Sequence, residues 1–276
     1  MNPLHPVDIS GYLAGLSEPE QELLRLFRSG KALTIFDIGS CEGEDSVRYA
    51  RHFPRARVFA FEPLPANQQL VRANFTRYGA ANAELVPLAL SDRTGEATFH
   101  VSSGRPKDEF AGQDWNYGNK SSSLLAPAQE DPMHGWVEFK ETITVHTDTL
   151  DNFCRDRVLG RIDFIHMDVQ GAEHLVLQGA RAMLPNITAI WLEVSDRQLY
   201  QGQKLRTDIG RFMHDHGFAL GFEIRREIEG DQFYVNRRYA RVWPYLAAKR
   251  AAQFARRLHF AAGRLKSRLL NPTPSP

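Results

Sequence analysis

The sequence predicts an α/β protein with a mostly parallel, Rossmann-like sheet, helices on both sheet faces and a C-terminal β-hairpin. Short apolar, β-branched runs alternate with helix-like segments from residue 33 to residue 216, which is the pattern of a parallel sheet. Near the C-terminus, Phe218–Arg225 and Gln232–Asn236 flank the turn-like Glu229-Gly230-Asp231, which predicts a hairpin.

Size, cysteine content and charge limit which class of protein this chain can belong to. The 276 residues suffice for one α/β domain with additions, and only two cysteines occur, so we expect a reduced, cytoplasmic protein. The sequence contains no apolar run long enough to predict a transmembrane helix, and the N-terminus does not resemble a signal peptide. Residues 237–276 carry ten Lys or Arg and no acid, which leaves 24 basic against 33 acidic residues in 1–236. The sequence therefore divides into an N-terminal helical cap (1–30), a body (31–236) and a basic amphipathic tail (237–276).

The elements follow from local signals along the chain. Ser17 with Glu20 forms a capping box that starts a helix, whose predicted apolar face is Leu23, Leu24 and Phe27 and which ends at Gly30. In the body, the predicted strands are 33–38, 57–62, 83–88, 97–102, 137–146, 162–168 and 187–194. The predicted helices are 44–52, 65–78, 149–154, 171–183 and 207–216.

The stretch from Leu33 to Ser46 is a strand, a glycine turn and a helix start, the place where parallel sheets bind nucleotides. Its Asp37-x-Gly39-x-x-x-Gly43 spacing differs from the G-x-G-x-x-G of NAD proteins and is typical of S-adenosylmethionine (SAM) pockets. Glycines let backbone N–H groups approach the amino-acid end of SAM, and Asp37 can face its ammonium. With Ser40, these residues are the predicted cofactor-binding turn.

Two further acids follow the next strands. Glu62 ends the second strand, 23 residues after Gly39, where such an acid accepts hydrogen bonds from ribose hydroxyls. Ser91 and Asp92 follow the third strand, and Asp92 can accept from an adenine amino group or form a plain Asx turn. These positions predict an adenosine-containing ligand.

Several motifs in order resemble the FkbM family of SAM-dependent methyltransferases. They are Phe36–Gly43, Phe61-Glu62-Pro63, Ala89–Asp92, Ser121–Leu124, Thr149–Phe153 and Ile162–Glu173, and they span roughly residues 33–195. The resemblance implies the class I methyltransferase fold, SAM as cofactor and O-methylation of a sugar or polyketide hydroxyl. It also implies Asp37 and Gly39 at the amino-acid end, Glu62 at the ribose and Asp92 near the adenine.

The last motif departs from the family pattern, which is usually closer to Lys-Ile-Asp-Val-Glu-Gly-Ala-Glu. Here His166 replaces the Lys and Gln170 replaces the Glu. The predicted catalytic residues are Asp168, as base or acceptor-orienting group, with His166 on the same strand face and Glu193 at the end of the next strand. Asp168, Glu193 and Asp196 lie where oxygen ligands could gather, but no local spacing specifies a metal site.

Residues 103–136 interrupt the strand–helix rhythm, and the loop around Lys120–Ser123 is a candidate lid or a solvated connector. From Arg241 the tail reads as one helix with an apolar stripe of Trp243, Ala247, Ala251, Phe254, Leu258, Ala261, Leu265 and Leu269. Three alternatives stay open for it: packing on the body or on a second subunit of a homodimer, lying on the inner membrane face, and, least favoured, binding nucleic acid.

The predicted function is a SAM-dependent O-methyltransferase that acts on a sugar or glycan hydroxyl, lipid-linked or polymeric acceptors included. One alternative is an NAD-dependent sugar-modifying enzyme, but the G-x-G-x-x-G motif of such enzymes is absent from this sequence. The other is a non-catalytic membrane-associated protein of methyltransferase-like fold.

Overall fold

The computed structural model describes residues 5–27, 30–106, 116–128 and 135–252, and its centre is a seven-stranded sheet. The strands in these ranges are β1 (Thr34–Ile38), β2 (Arg57–Phe61), β3 (Ala83–Val86), β4 (Ala89–Leu90), β5 (Gly95–Ser103), β6 (Glu138–Asp148), β7 (Ile162–Met167), β8 (Ile187–Ser195), β9 (Phe218–Arg225) and β10 (Glu229–Asn236). The helices are α1 (Glu18–Leu26), α2 (Glu44–His52), α3 (Pro65–Tyr78), α4 (Leu150–Asp156), α5 (Glu173–Gln178) and α6 (Arg206–Asp215), followed by α7, of which residues 242–252 are described.

The strand order in the main sheet is β3-β2-β1-β7-β8-β10-β9. Its strands pair in parallel except that β10 runs antiparallel to both neighbours, β8 and β9. The predicted fold class, a class I methyltransferase sheet with a C-terminal hairpin, is therefore confirmed. Because the chain crosses over between β1 and β7, the carboxyl ends of these two strands form the crevice where ligands bind in such sheets.

Strands β5 and β6 lie outside the main sheet. They pair antiparallel with each other, and β4 joins β6, so that a second sheet of order β4-β6-β5 forms. A small core of Leu64, Phe99, Val101 and Val145 packs beneath it. This sheet carries the chain away from the crevice and returns it there as residues 116–128.

Both faces of the main sheet are covered by apolar side chains. On one face, Phe36 contacts Phe59 at 5.1 Å between ring centroids and Phe153 of α4 at 5.6 Å. On the other, Ile35, Tyr49 of α2 and Phe164 pack together with residues of α1 and α7. The N-terminal cap and the body thus share one apolar core.

Three details of the predicted elements are wrong. The helix predicted over 171–183 is only α5, because Gly179 lies so close to Ser91 that a Cβ would approach the Ser91 carbonyl oxygen to 2.0 Å. The residues Glu229–Asp231 belong to β10, so the hairpin turn is 226–228. In α1, Leu24 is exposed, and the buried face is Leu23, Leu26 and Phe27.

The described part of the tail packs on the body with a different face from the predicted one. Val242, Tyr245 and Leu246 are buried, Tyr245 Oη donates to Glu22 Oε2 at 2.6 Å, and Lys249 Nζ lies 2.7 Å from Glu22 Oε1. Trp243 is 52% exposed, and Ala247 and Ala251 are exposed with it, since the helix follows the register of its contacts with α1. The remainder of the predicted stripe lies outside the described residues, and contact with a membrane or a second subunit stays a prediction.

No helix in the described ranges has the length and apolar character needed to cross a membrane.

Candidate active site

The turn between β1 and α2 is the floor of the crevice. Gly39 has φ +84° and Gly43, the N-cap of α2, has φ +77°, a left-handed conformation that glycine adopts without strain. A Cβ on Gly39 would lie 1.8 Å from the carbonyl oxygen of Asp168, so the turn and the end of β7 are in direct contact. The strand–turn–helix predicted from the sequence is present with its two glycines where the backbone requires them.

The backbone N–H groups of this turn are engaged within the protein. Those of Gly39 and Ser40 both donate to the carbonyl of Phe61, and that of Gly43 donates to the carbonyl of Ser40. The N–H of Cys41 donates to Glu62 Oε2 at 2.9 Å, and that of Glu42 donates to Glu44 Oε2 at 3.1 Å. From residue 39 to residue 43, every backbone N–H group therefore already donates within the protein. The prediction that these N–H groups bind the amino-acid end of a cofactor has no open donor to rest on.

A cavity opens above the turn, between β1, β2, β7 and residues 116–128, which we call the covering segment. Its polar wall is formed by Glu62 after β2, Asn67 of α3, Asn119 and Lys120 of the covering segment, and Asp168 and Gln170 after β7. The apolar wall comes from Ile38, Phe61, Leu88, Leu90, Phe99 and Leu124. One apolar and one polar side suit a ligand that carries both a heterocycle and polar groups.

Glu62 is buried at the cavity wall as predicted. Its two oxygens accept from the N–H of Cys41 and, at 2.8 Å, from the N–H of Leu64. Burial raises the pKa of Glu62 to about 8, which these two hydrogen bonds oppose. Each carboxylate oxygen keeps a second lone pair with which it can accept from a ligand hydroxyl.

Asp37 and Ser40 lie beside the cavity and do not line it. Asp37 Oδ2 accepts from Ser46 Oγ of α2 at 2.5 Å, and burial raises the pKa of this carboxyl above its usual value. Ser40 Oγ is buried and makes no hydrogen bond within the described residues. Asp37 therefore contacts α2 through Ser46, and its predicted contact with a ligand ammonium stays a prediction.

Ser91 and Asp92 directly follow the residues of the apolar wall in sequence and do not line the cavity themselves. Ser91 is buried and its Oγ donates to Asp92 Oδ1 at 3.2 Å, while Asp92 Oδ1 lies 3.6 Å from the Nε of Arg93. The residues that reach the cavity here are Leu88, Ala89 and Leu90. Their apolar side chains suit the flat face of a purine.

The covering segment is held against the site by polar contacts. Asn119 Nδ2 donates to Asn67 Oδ1 at 2.9 Å, Ser123 Oγ donates to the carbonyl of Gln170 at 2.7 Å, and Tyr200 Oη lies 2.8 Å from the carbonyl of Ser121. The Lys120–Ser123 loop, predicted as a lid or a connector, thus lies over the cavity. Trp115 lies outside the described residues, and Tyr117 contacts Trp136 rather than the cavity.

Asp168, Gln170 and Glu193 form one hydrogen-bonded group at the rim. Gln170 Nε2 donates to Asp168 Oδ1 at 2.7 Å and to Glu193 Oε2 at 3.1 Å, and Gln170 Oε1 accepts from Tyr200 Oη at 2.9 Å. Asp168 lines the cavity with an exposed surface, and desolvation by the protein around it raises its pKa, which the hydrogen bond from Gln170 opposes. Burial and the nearby Asp168 raise the pKa of Glu193 well above its usual value.

His166 lies beneath this group on the sheet, level with Asp37 in the pairing of β1 with β7. Its Nδ1 is 3.0 Å from the hydroxyl of Tyr49 and 3.8 Å from carboxylate oxygens of Asp37 and Asp45. Burial alone would lower the pKa of His166, but Asp45, Asp37 and Asp168 raise it above its usual value. His166 therefore faces several carboxylates, which favour its protonated form.

Asp196 does not join Asp168 and Glu193, because it forms an ion pair with Arg206 at 2.8 Å. Within the described ranges, no group of three or more His, Cys, Asp or Glu side chains is arranged to hold a metal ion.

The sequence did not point to Asn67 or Asn119, and it pointed to Lys120 only as part of a candidate lid or connector. Asn67 follows two prolines on α3, and the other two come from the long loop, whose return to the cavity depends on the second sheet. No local signal identifies them, whereas Gln170 was visible as a departure from the family motif.

The chain is similar in sequence to a known family and to proteins of known name. The family model for the methyltransferase FkbM domain matches residues 37–220. The chain is 34% identical over 203 residues to the 2-O-methyltransferase NoeI of Sinorhizobium fredii, covering 73% of this chain and 79% of that protein. It is 28% identical over 215 residues to the AMB antimetabolite synthetase AmbE of Pseudomonas aeruginosa, covering 72% of this chain and 10% of that much longer protein.

Solved structures similar to the chain are distant in sequence. An rRNA methylase from Streptococcus thermophilus is 8% identical with a TM-score of 0.45, covering 80% of this chain and 97% of that one. The N-terminal domain of EvdMO1, solved with S-adenosylhomocysteine (SAH) and D-fucose, is 12% identical with a TM-score of 0.42, covering 79% of this chain and 80% of that one.

Proposed function

The chain belongs to the FkbM family of SAM-dependent methyltransferases, and we propose that it methylates a hydroxyl group of a sugar or glycan. The predicted family and the predicted cofactor are thereby confirmed, and the NAD-dependent alternative is wrong. The relative NoeI is named a 2-O-methyltransferase, which supports oxygen as the acceptor atom.

The residues around the cavity fit SAM. Glu62 has lone pairs for ribose hydroxyls, and Leu88 and Leu90 provide an apolar surface for adenine. When bound, SAM supplies a methyl group that already has a good leaving group. What the protein must add is alignment of an acceptor oxygen and removal of its proton.

Asp168 is the group we assign to the acceptor proton, and its position carries the proposal. Its carboxylate is exposed at the rim of the cofactor cavity, and the raised pKa makes it a better base than an ordinary aspartate near neutral pH. The cationic His166 opposes that rise, so Asp168 can stay ionised among other acids.

Glu193 takes a different part because its surroundings differ. Its pKa is raised well above the usual range by burial and by neighbouring acids, which favours the protonated carboxyl, and we assign it to holding the acceptor by hydrogen bonds. Gln170 donates to both carboxyl groups and fixes the distance between them. Asp168 is thus assigned to the acceptor proton and Glu193 to holding the acceptor in place.

The test is product analysis on a panel of methyl glycosides, each paired with analogues that lack one ring hydroxyl. With SAM present, we expect a single methyl transfer to one ring hydroxyl, lost only in the analogue that lacks it. Methylation confined to phenolic or polyketide-type hydroxyls offered in parallel would overturn the sugar assignment and leave the O-methyltransferase intact.

A further inference from the structure

Lys120 is the one basic side chain among the described residues that line the cofactor cavity. It lies on the covering segment, and its Nζ is 2.7 Å from Glu44 Oε1 in the first turn of α2 and 4.0 Å from Cys41 Sγ. The ammonium is therefore held above the β1–α2 turn. Although burial alone would lower it, Cys41, Glu44 and Glu42 hold the pKa of Lys120 above its usual value, so the side chain stays charged.

The chemistry of the cavity leaves one part of SAM without a partner. The amino-acid end carries an ammonium and a carboxylate, and the ionisable acids of the cavity wall, Glu62 and Asp168, suit hydroxyl or ammonium groups. The N–H groups from Gly39 to Gly43, which could otherwise receive a carboxylate, already donate within the protein. A carboxylate placed over this turn meets Lys120.

We propose that Lys120 binds the carboxylate of SAM and SAH, which takes the place of Glu44 as its ion-pair partner. The covering segment is then fastened to the cofactor by the ion pair of Lys120 and to the protein by the hydrogen bond of Asn119 with Asn67. Glu44 has the opposite effect on the ligand, since its carboxylate repels the incoming one and competes for the same ammonium.

Calorimetric titration with two ligands tests this without any acceptor. SAH carries the carboxylate, whereas 5′-methylthioadenosine has the same nucleoside and thioether but no amino-acid end. Lys120→Met should weaken SAH binding by about tenfold or more, the range of a partly buried charge-assisted hydrogen bond, and leave methylthioadenosine binding nearly unchanged. Lys140→Met, at an exposed lysine paired with Glu138, is the matched control and should change neither affinity.

Glu44→Gln separates the proposal from a structural role of the Lys120–Glu44 pair. If the pair merely holds the covering segment in place, both variants weaken SAH binding. If Lys120 binds the cofactor carboxylate, Glu44→Gln strengthens SAH binding while Lys120→Met weakens it, and Lys120→Arg retains most of the affinity. Equal losses for both ligands in Lys120→Met, unchanged SAH affinity, or effects of the same sign in the two variants would overturn the proposal.

Discussion

Replacing Gly39 by alanine tests whether the contact between the β1–α2 turn and the end of β7 builds the cofactor site. The new Cβ would sit 1.8 Å from the carbonyl oxygen of Asp168 and 3.3 Å from Cγ1 of Val169. The first neighbour is backbone, so it cannot turn away as a flexible side chain would. The strands must separate locally, and Asp168, at the rim of the cavity, must move.

The expected loss of unfolding free energy has two parts. A non-glycine residue at φ +84° costs about 1–2 kcal/mol in the left-handed region. The forced displacement adds about 1–3 kcal/mol, the usual range for overpacking a dense interior. The sum of about 2–5 kcal/mol is a large share of the about 5–15 kcal/mol that stabilises a typical domain.

Gly79→Ala is the matched control, because Gly79 has φ +67° and a Cβ there would meet no heavy atom within 4 Å. It should cost only the first part, about 1–2 kcal/mol, and should leave SAH affinity unchanged. Gly39→Ala should lose further stability in urea titrations and weaken SAH binding by about tenfold or more, since the displaced backbone forms the cavity wall. If both variants show equal losses of stability and unaltered SAH affinity, the contact has no part in building the site.

Three further predictions concern single carboxyl groups. Burial raises the pKa of Glu62 to about 8, and ribose hydroxyls favour its ionised form, so cofactor binding near pH 7 should release up to about one proton; equal titration enthalpies in buffers of different ionisation enthalpy would contradict this. Asp168→Asn should leave SAH affinity within about threefold while turnover on an accepted glycoside falls by a factor of about 10² to 10⁴; wild-type turnover would remove Asp168 from the mechanism. Burial raises the pKa of Glu173 to about 7 from about 4.3 in an unfolded chain, so its stabilising contribution is complete below about pH 4 and is lost as pH rises toward 7. Glu173→Gln keeps an oxygen for the N–H groups of Val169 and Gly171, and urea midpoints should therefore fall less between pH 5 and pH 8 than in the wild type.

Elements that depend on nearby residues were predictable from the sequence. The capping box of Ser17 and Glu20 starts α1 as expected, and α2 has the predicted bounds because Gly43 caps it and acids fill its first turn. The main strands were found from their apolar runs, and the parallel order follows from the helices between them.

Elements that depend on distant residues were not predictable in the same way. The pairing of β5 with β6 in a separate sheet joins residues up to about 50 positions apart, and no local pattern distinguishes it from membership of the main sheet. The early end of α5 follows from the close approach of Gly179 to Ser91. In α7, spacing alone favoured the stripe through Trp243, but Glu22 fixes the register by receiving Tyr245 and Lys249.

The site residues likewise differ in whether they could be predicted from the sequence. Glu62 and Asp168 end strands whose carboxyl ends meet at the crevice, so their arrival at the cavity follows from the fold. Asp37 lies two residues before the position on β1 that is level with Glu62 and Asp168, and its side chain points toward α2, where it accepts from Ser46. Lys120 and Asn119 reach the cavity only because the second sheet returns the covering segment to it.

The two departures from the family motif both lie near Asp168, Gln170 through a hydrogen bond and His166 through its charge. A glutamate at position 170 would place a third carboxylate between Asp168 and Glu193 and could offer them no hydrogen; the amide of Gln170 donates to both and still accepts from Tyr200. With one negative charge fewer at the rim, a basic side chain at position 166 need not extend as far toward the rim as a lysine does. The short imidazolium of His166 is then sufficient, because it contacts Tyr49 and faces Asp37 and Asp45 within the sheet. The replacements thus remove one lysine and one carboxylate of the family motif together, and Asp168 is the carboxylate exposed at the cavity rim.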